Sequence, residues 1–269
     1  MRTRRASVEE AAEVLADGGA VAFTGSGISA ESGIPTFRAP GGMWERFDPV
    51  EFGTWDGLMD MAMHRPDALA DFLADLGRTF SAAAPSAAHR ALARLEDAGI
   101  IDAVITQNVD GLHQAAGSRR VVELHGSLTR TVCLLCGGRD EVGREGFLAG
   151  LDRAVVGLRT AFVPSLASLL PRCWRCHGPV RPDFVAFGDA VQDLDQAEDL
   201  VRWCRALLVV GTSGEVHPAA ALPDEAARSG ATVIDVSLGP TGVPSDIRLR
   251  GRAGTILPRL ADRLLREPG

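Results

Sequence analysis

The sequence of 269 residues contains no lysine and no tyrosine, so all 28 basic residues are arginine. A GC-rich coding composition favouring Arg, Ala and Gly accounts for this bias, and its chemical consequence is that acylation of its own lysine side chains cannot regulate the chain. No apolar run approaches the roughly 20 residues needed to cross a bilayer. The opening stretch, MRTRRASVEEAAEVL, is basic but has no apolar core segment and passes into an acidic amphipathic pattern. That argues against a signal peptide and for a cytoplasmic location. The net charge of −7 disfavours a nucleic-acid-binding surface spread over the molecule, while a local basic groove remains able to receive a basic peptide or a phosphate. With 46% hydrophobic and 23% charged residues, the chain has the makings of one large core, or of a large and a small domain.

The stretch around which the rest is organised is AVAFTGSGISAESGIPTFR, residues 20–38. Ala20 to Phe23 reads as a buried parallel strand. Glycines at 25 and 27 allow positive φ and close backbone approach to a pyrophosphate, and a small-residue segment follows that can begin a helix with free amide donors. An ordinary strand-to-helix turn reads the same way, and the spacing is not G-x-G-x-x-G because Gly33 arrives late.

Further along, residues 7–17 read as a helix with Ser7 as N-cap and Glu10 at capping-box spacing. Pro35 to Asp56 reads as a loop able to close over a ligand, anchored by Trp44 and Phe47. Helices are predicted over 67–80 and 87–98. Strands are predicted over 101–106 and 121–124, ending in polar clusters at Gln107, Asn108 and Asp110 and at His125. The pattern changes over 132–179, which reads as an inserted module; its interior, 146–170, shows helical patches. After it come strands over 182–188, 206–210, 231–236 and 255–257, with helices over 194–204, 218–229 and a final one to Arg266. Alternating strands and helices predict an α/β fold, a doubly wound parallel Rossmann-like sheet built from 1–131 and 180–269, with the small zinc-binding module inserted at 132–179. Polar groups at the carboxyl ends of parallel strands lie where such a sheet places its ligand crevice.

Cys133 and Cys136 form one Cys-x-x-Cys pair and Cys173 and Cys176 another, a set able to surround one structural zinc ion; a pair of disulfides is the alternative, disfavoured in the cytoplasm. Arginines beside these knuckles also permit a nucleic-acid contact, against which stand interleaved acidic residues and the lack of stacking aromatics beyond Trp174. Cys204 reads as buried filler. A lone histidine such as His125 is more often structural than catalytic, and Gln107, Asn108 and Asp110 by themselves can simply cap a helix starting near Val109.

TGSGISAESGIPTFR, TQNVDGLH, ELHGS, the two cysteine pairs and GTS, in that order, resemble the sirtuins, NAD-dependent protein-lysine deacylases, over nearly the whole chain. The resemblance implies His125 as general base, with Gln107 and Asn108 orienting the ribose and a water and Asp110 pairing with the nicotinamide carboxamide. It implies NAD contacts from Gly25, Ser26, Gly27, Ile28, Phe37 and Arg38, and from Gly211, Thr212, Ser213, Ser237, Leu238 and Ala253. Peptide is expected against Val185, Phe187 and Gly188, and the acyl group against Leu73 and Leu76, where acid-preferring members carry Tyr and Arg; an apolar acyl group, acetyl foremost, is therefore expected. Ser26 replaces the usual Ala and Ser237 the usual Asn, the latter implying weaker NAD binding unless Asp235 compensates. The implied activity is transfer of the acyl group of acyl-lysine proteins to ADP-ribose with release of nicotinamide; a monomer is expected, and charge and hydropathy lead to the expectation of neither nucleic acid nor membrane as partner. An NAD hydrolase or ADP-ribosyltransferase, and a catalytically silent NAD-binding module, are the alternatives.

Overall fold

Buried at every position, the runs AVAFT and ALLVV form strands β1 (Ala20–Thr24) and, late in the chain, β7 (Ala206–Val210), as parallel strands covered on both faces must. This computed structural model describes residues 7–37, 41–160 and 171–266. Between β1 and β7 come β2 (Ile101–Thr106), β3 (Val121–Glu123), β4 (Gly126–Cys133), β5 (Arg139–Glu141) and β6 (Val180–Phe184). After β7 come β8 (Thr232–Ser237) and β9 (Ile247–Arg250). Six of them make a parallel sheet in the order β3-β2-β1-β7-β8-β9. The chain winds outward from β1 to β3 and then returns to β7, so the topological switch point, where such sheets bind ligands, lies between β1 and β7.

Helices Val8–Leu15, Ala87–Asp97 and Ala253–Leu264 cover one face of this sheet, and Leu194–Trp203 and Leu222–Arg228 the other. The layering is the predicted doubly wound α/β arrangement. Ser7 caps the first helix by accepting from the Glu10 amide at 3.2 Å. The expected strand at 255–257 is instead part of the last helix. Ala253, Ile256, Leu257, Leu260 and Ala261 are its buried residues, at the spacing of one helical stripe, and three β-prone residues at its start do not outweigh a twelve-residue period. The edge strand there is β9.

Pro35 to Asp56 is not a loop throughout. Short helices Met43–Arg46 and Pro49–Phe52 form within it, and Trp55–His64 follows. Asp48 accepts from the Val50 amide at 2.7 Å and Thr54 from the Gly57 amide at 3.0 Å, so capping side chains start turns that hydrophobic period alone does not reveal. The rings of Phe47, Phe52 and Phe72 meet at 4.8 to 5.0 Å and pin these turns to helix Pro66–Ala82.

A second, antiparallel sheet, β5-β4-β6, carries the knuckles. Between the cysteine pairs the chain forms the helix Gly143–Thr160, which leaves the knuckles and packs on Pro66–Ala82 through Phe147, Leu151 and Leu158; residues 161–170 of the expected helical stretch lie outside the described residues. Arg130 joins the two sheets. It reaches Asp183 of β6 at 2.7 Å and Glu123 of β3 at 3.1 Å, while Asp183 also receives Arg139 at 2.8 Å and Gln192 at 3.0 Å. A buried carboxylate satisfied on this many sides fixes geometry more than it adds stability.

Two histidines are sealed beneath the sheet crest. His89 Nδ1 accepts from the Ser86 amide, and its ring meets that of His113 edge-on at 4.7 Å. Burial pushes His89 down to about 4 and His113 well below the ordinary imidazole value. The unfolded chain then binds protons that the folded chain refuses, so stability present above pH 6.5 falls as the pH drops towards 4. His89 alone accounts for about 2 kcal/mol lost between pH 7 and pH 5. Denaturant unfolding at the two pH values should show this difference shrinking by about that amount in His89→Gln; an unchanged difference would mean that His89 is not held neutral.

Candidate active site

At the switch point the turns after β1 and β7 touch backbone to backbone. The Gly27 amide donates to Gly211 O at 2.9 Å, and a Cβ on Gly27 would lie 2.7 Å from Gly211 Cα. Gly25 is extended, with φ −128°, and a Cβ there would come within 2.9 Å of Gly211 O. The two glycines are therefore required by contact with the opposite turn, not by positive φ as expected; of the three, Gly211 has the left-handed backbone, φ +63°. The expected helix is replaced by two turns of 3-10 helix, Ser26–Ile28 and Ala30–Ser32. Ile28 is buried beneath the turn and Ser26 stands beside the crevice, half-buried.

Behind this turn lies a buried relay. Asn108 Nδ2 donates to Gly25 O at 3.2 Å and to Ser29 Oγ at 3.1 Å, and Ser29 Oγ donates to Asp110 Oδ2 at 2.7 Å. Asp110 also accepts from the Leu112 amide at 2.9 Å, the first amide of the short helix Leu112–Ala115, so this residue tethers a helix start three residues later than the one expected near Val109. Burial raises the Asp110 carboxyl above its usual range, opposed by these bonds. Ser29 was not singled out in the sequence; lying inside a run of small residues, it carries no signal until the fold brings Asn108 to it. Gln107 Nε2 donates to Thr212 Oγ1 at 2.9 Å, bridging the crest.

His125 follows β3. Its Nδ1 lies 2.9 Å from Gln107 O, a carbonyl that can only accept, so Nδ1 carries the proton and Nε2 presents a lone pair. Burial lowers its pKa below 6.5, partly offset by the bond to Gln107. The next residue is Gly126, at φ +71°, where a Cβ would collide with Asp183 O at 1.9 Å. That glycine lets β6 approach and so sets His125 against the segment after β6.

In that segment the amides of Val185 and Phe187 donate to His125 O and Gly53 O, each at 2.8 Å, and the Ala186 amide to Asp189 at 3.1 Å. An added strand there has carbonyls and Gly188 left to use. Phe187 is half exposed and its ring meets that of Trp44 at 5.7 Å, which meets that of Phe37 at 5.4 Å; Trp44 thus joins Phe37, expected at the cofactor, to Phe187, expected against the peptide. Arg38 lies outside the described residues. Leu76 lines a cavity with Ile34, Met43, Phe47, Phe72 and Phe80, and Leu73 packs behind it. At its rim Arg46 is ion-paired with Asp75 at 2.8 Å, a cation absent from the sequence-based expectation.

Beyond the switch point Ser213 is exposed, Leu238 is exposed after β8, and Ala253 is buried at the start of the last helix. Ser237 is buried at the end of β8, bonded to Asp235 at 3.1 Å and to Arg250 at 2.9 Å. No protein donor or acceptor among the described residues reaches Asn108 Oδ1, Ser213 Oγ or His125 Nε2. With a crest floored by glycine, this set of donors and acceptors suits the riboses and diphosphate of a dinucleotide.

Cys133 Sγ lies 3.5 Å from Cys176 Sγ and Cys136 Sγ 3.7 Å from Cys173 Sγ, with all four sulfurs within 4.8 Å of one another. A disulfide brings sulfurs to about 2.05 Å, whereas tetrahedral zinc with bonds of about 2.3 Å sets them about 3.8 Å apart. The Cys136 amide, with that of Leu135, holds the Cys133 thiol down to about 6, towards the thiolate that binds metal. The cage fits one zinc ion held by four thiolates with no position left for substrate. Cys204 is not part of it; burial pushes its thiol up to about 11. Metal analysis of the purified protein should find about one zinc per chain, and Cys173→Ser should lose both the metal and thermal stability; full metal content in that variant would rule out this cage.

A family model described as the Sir2 family matches residues 25–218. The chain is 41% identical over 261 residues, 96% of each chain, to an NAD-dependent protein deacylase of Desulfosudis oleivorans, and 45% identical over 262 residues, 95% of this chain and 96% of the other, to one of Aeropyrum pernix. Among solved structures, a Sir2 homologue in complex with NAD superposes with a TM-score of 0.78 at 32% identity, covering 98% of this chain and 96% of that one. Sir2Af2 bound to a myristoylated histone peptide does so with a TM-score of 0.69 at 33% identity, covering 96% and 95%. With this fold, this crest and this cysteine cage, the chain belongs to the Sir2 family.

Proposed function

We propose that the chain is an NAD-dependent protein-lysine deacylase, acting first on acetyl-lysine in proteins or peptides and releasing nicotinamide and O-acyl-ADP-ribose. The observation that carries this reading is the His125 tautomer. With Nδ1 committed to Gln107 O and Nε2 free, the imidazole is a neutral base at the carboxyl edge of the sheet, beside the crevice. Bound NAD supplies an electrophilic ribose carbon and the hydroxyls that receive the acyl group.

The chain's residues do the rest. Gly25, Ser26, Gly27 and Ile28 with Gly211, Thr212 and Ser213 hold the diphosphate, and Ser237, Leu238 and Ala253 the adenosine end. Gln107 and Asn108 orient the nicotinamide ribose, and Asp110, fixed by Ser29, faces the carboxamide. His125 Nε2 takes the proton of a ribose hydroxyl. Phe37, backed by Trp44, keeps water from the reacting face. The peptide lies along Val185, Phe187 and Gly188. Its acyl group enters beside Leu73 and Leu76, whose side chains favour an apolar acyl chain, while Arg46 at the rim is held by Asp75, a carboxylate it shares with Arg78. We further infer a Rossmann-like NAD-binding domain of 1–131 and 180–269 and a zinc-binding module of 132–179, with the antiparallel strands β4 and β6 leading into and out of the module. A cytoplasmic location is part of the same reading, and the net charge of −7 supports substrates other than nucleic acid.

Mass spectrometry of an acetyl-lysine peptide incubated with NAD should show loss of the acetyl mark together with nicotinamide and O-acetyl-ADP-ribose. If ADP-ribose accumulates while the mark stays, the chain is a hydrolase or ADP-ribosyltransferase; binding without turnover would identify a silent module. His125→Ala should lower kcat by about 10²- to 10⁴-fold. Because burial favours neutral imidazole, kcat/KM in the wild-type protein should hold through pH 6.5 and fall only at lower pH. An acid limb centred above pH 6.5 would remove His125 from the role.

A further inference from the structure

The adenosine end of the crest carries a cation that the proposed reaction does not use. A dinucleotide with one ribose at Gln107 and His125 extends across the switch point towards β8 and β9. From β2 to β8 that is three strand spacings, about 14 Å, a span over which an extended dinucleotide separates its riboses. At that end Arg250, the last residue of β9, is half-buried, and Ser237 Oγ at 2.9 Å is its hydrogen-bond partner among the described residues. No carboxylate of the described residues pairs with it, whereas Arg248, two residues earlier, is paired with Asp235 at 3.4 Å and bonded to Val243 O and Ser245. A guanidinium has five N–H donors; most of those on Arg250 are free.

The acidic group on β8 that would repel a phosphate here has been withdrawn, and Glu31, the carboxylate beside the last helix, is engaged by the Gly254 amide at 2.7 Å. Asp235 is fully buried, its Oδ2 accepts from Ser237 and Thr241 and faces Arg248, and its Oδ1 is sealed from solvent with no partner. Ser237 has one hydroxyl hydrogen, claimed by Asp235 or Gly239 O at 3.1 Å each, so it has none to offer a ribose diol. In dinucleotide-binding sheets an exposed acid accepting from the ribose diol selects NAD, and a nearby arginine accommodates a 2′-phosphate. We propose that this subsite accepts a phosphate on the ribose 2′-hydroxyl, so that NADP binds the chain in competition with NAD, with Arg250 as the recognising residue. The inference rests on the NAD reading above and deepens it.

Calorimetric titration of the full chain with NAD and with NADP separately tests it. NADP should bind within tenfold of NAD or more tightly, with the steeper loss of affinity as salt rises, since one more ion pair is being screened. Arg250→Gln should lower the NADP-to-NAD affinity ratio at least tenfold, and Arg250→Lys should recover most of it; a general folding defect would weaken both nucleotides alike and leave the ratio unmoved. Wild-type NADP binding more than tenfold weaker than NAD, or a ratio indifferent to Arg250→Gln, overturns the inference while leaving the NAD site intact. Binding of neither nucleotide overturns both. Should Arg250→Gln not fold, the wild-type ratio and its salt dependence decide.

Discussion

Two turns without side chains, pressed together at the middle of the sheet, determine what the crest can be. The contact of Gly25 and Gly27 with Gly211 closes the gap between β1 and β7 to backbone thickness, and Asn108, Asp110 and Gln107 are positioned from it. Gly25 O receives Asn108, Asn108 is linked through Ser29 to Asp110, and Gln107 crosses to Thr212. A single methyl group on Gly27 would push the β7 turn away and loosen all these bonds together. The glycines serve the protein's own packing before they serve any phosphate.

The second constraint is electrostatic and runs through the other sheet. Arg130, sandwiched between Glu123 and Asp183, ties the end of β3 to β6, and Gly126 lets those backbones meet. Because His125 sits between Glu123 and Gly126, its backbone is placed by this ion cluster, and the bond from Nδ1 to Gln107 O then orients its imidazole. The segment that would receive peptide hangs from the same place through the Val185 amide on His125 O. His125, the proposed base, and the segment proposed to receive peptide are thus parts of one fixed unit.

Much of this was legible in the residues. The strands of the parallel sheet announce themselves as uninterrupted apolar runs, and the order of polar clusters at their ends, Gln107 to Asp110 and then His125, already describes a crevice edge. The cysteine spacing alone describes a cage. What was not legible depends on contacts between distant segments. The reason for Gly27 is Gly211, and the significance of Ser29 is Asn108. Arg46 matters only because helix Pro66–Ala82 brings Asp75 to it. The strand expected at 255–257 failed because β-prone residues cannot reveal that they continue a helical stripe begun at Ala253. The loop expected at 35–56 failed because caps at Asp48 and Thr54 override its irregular composition.

The helix Gly143–Thr160 leaves one cysteine knuckle, lies along Pro66–Ala82 behind the cavity lined by Leu76 and Phe80, and its Arg144 donates to Phe80 O and Ala83 O. In sequence it lies between the two cysteine pairs of the same cage. The four-cysteine cage is therefore a remote fastener for a wall it never meets: the width of that cavity, proposed above to receive the acyl group, is upheld by a clasp at the far end of a lever, and releasing the clasp would be felt first as altered tolerance for acyl size.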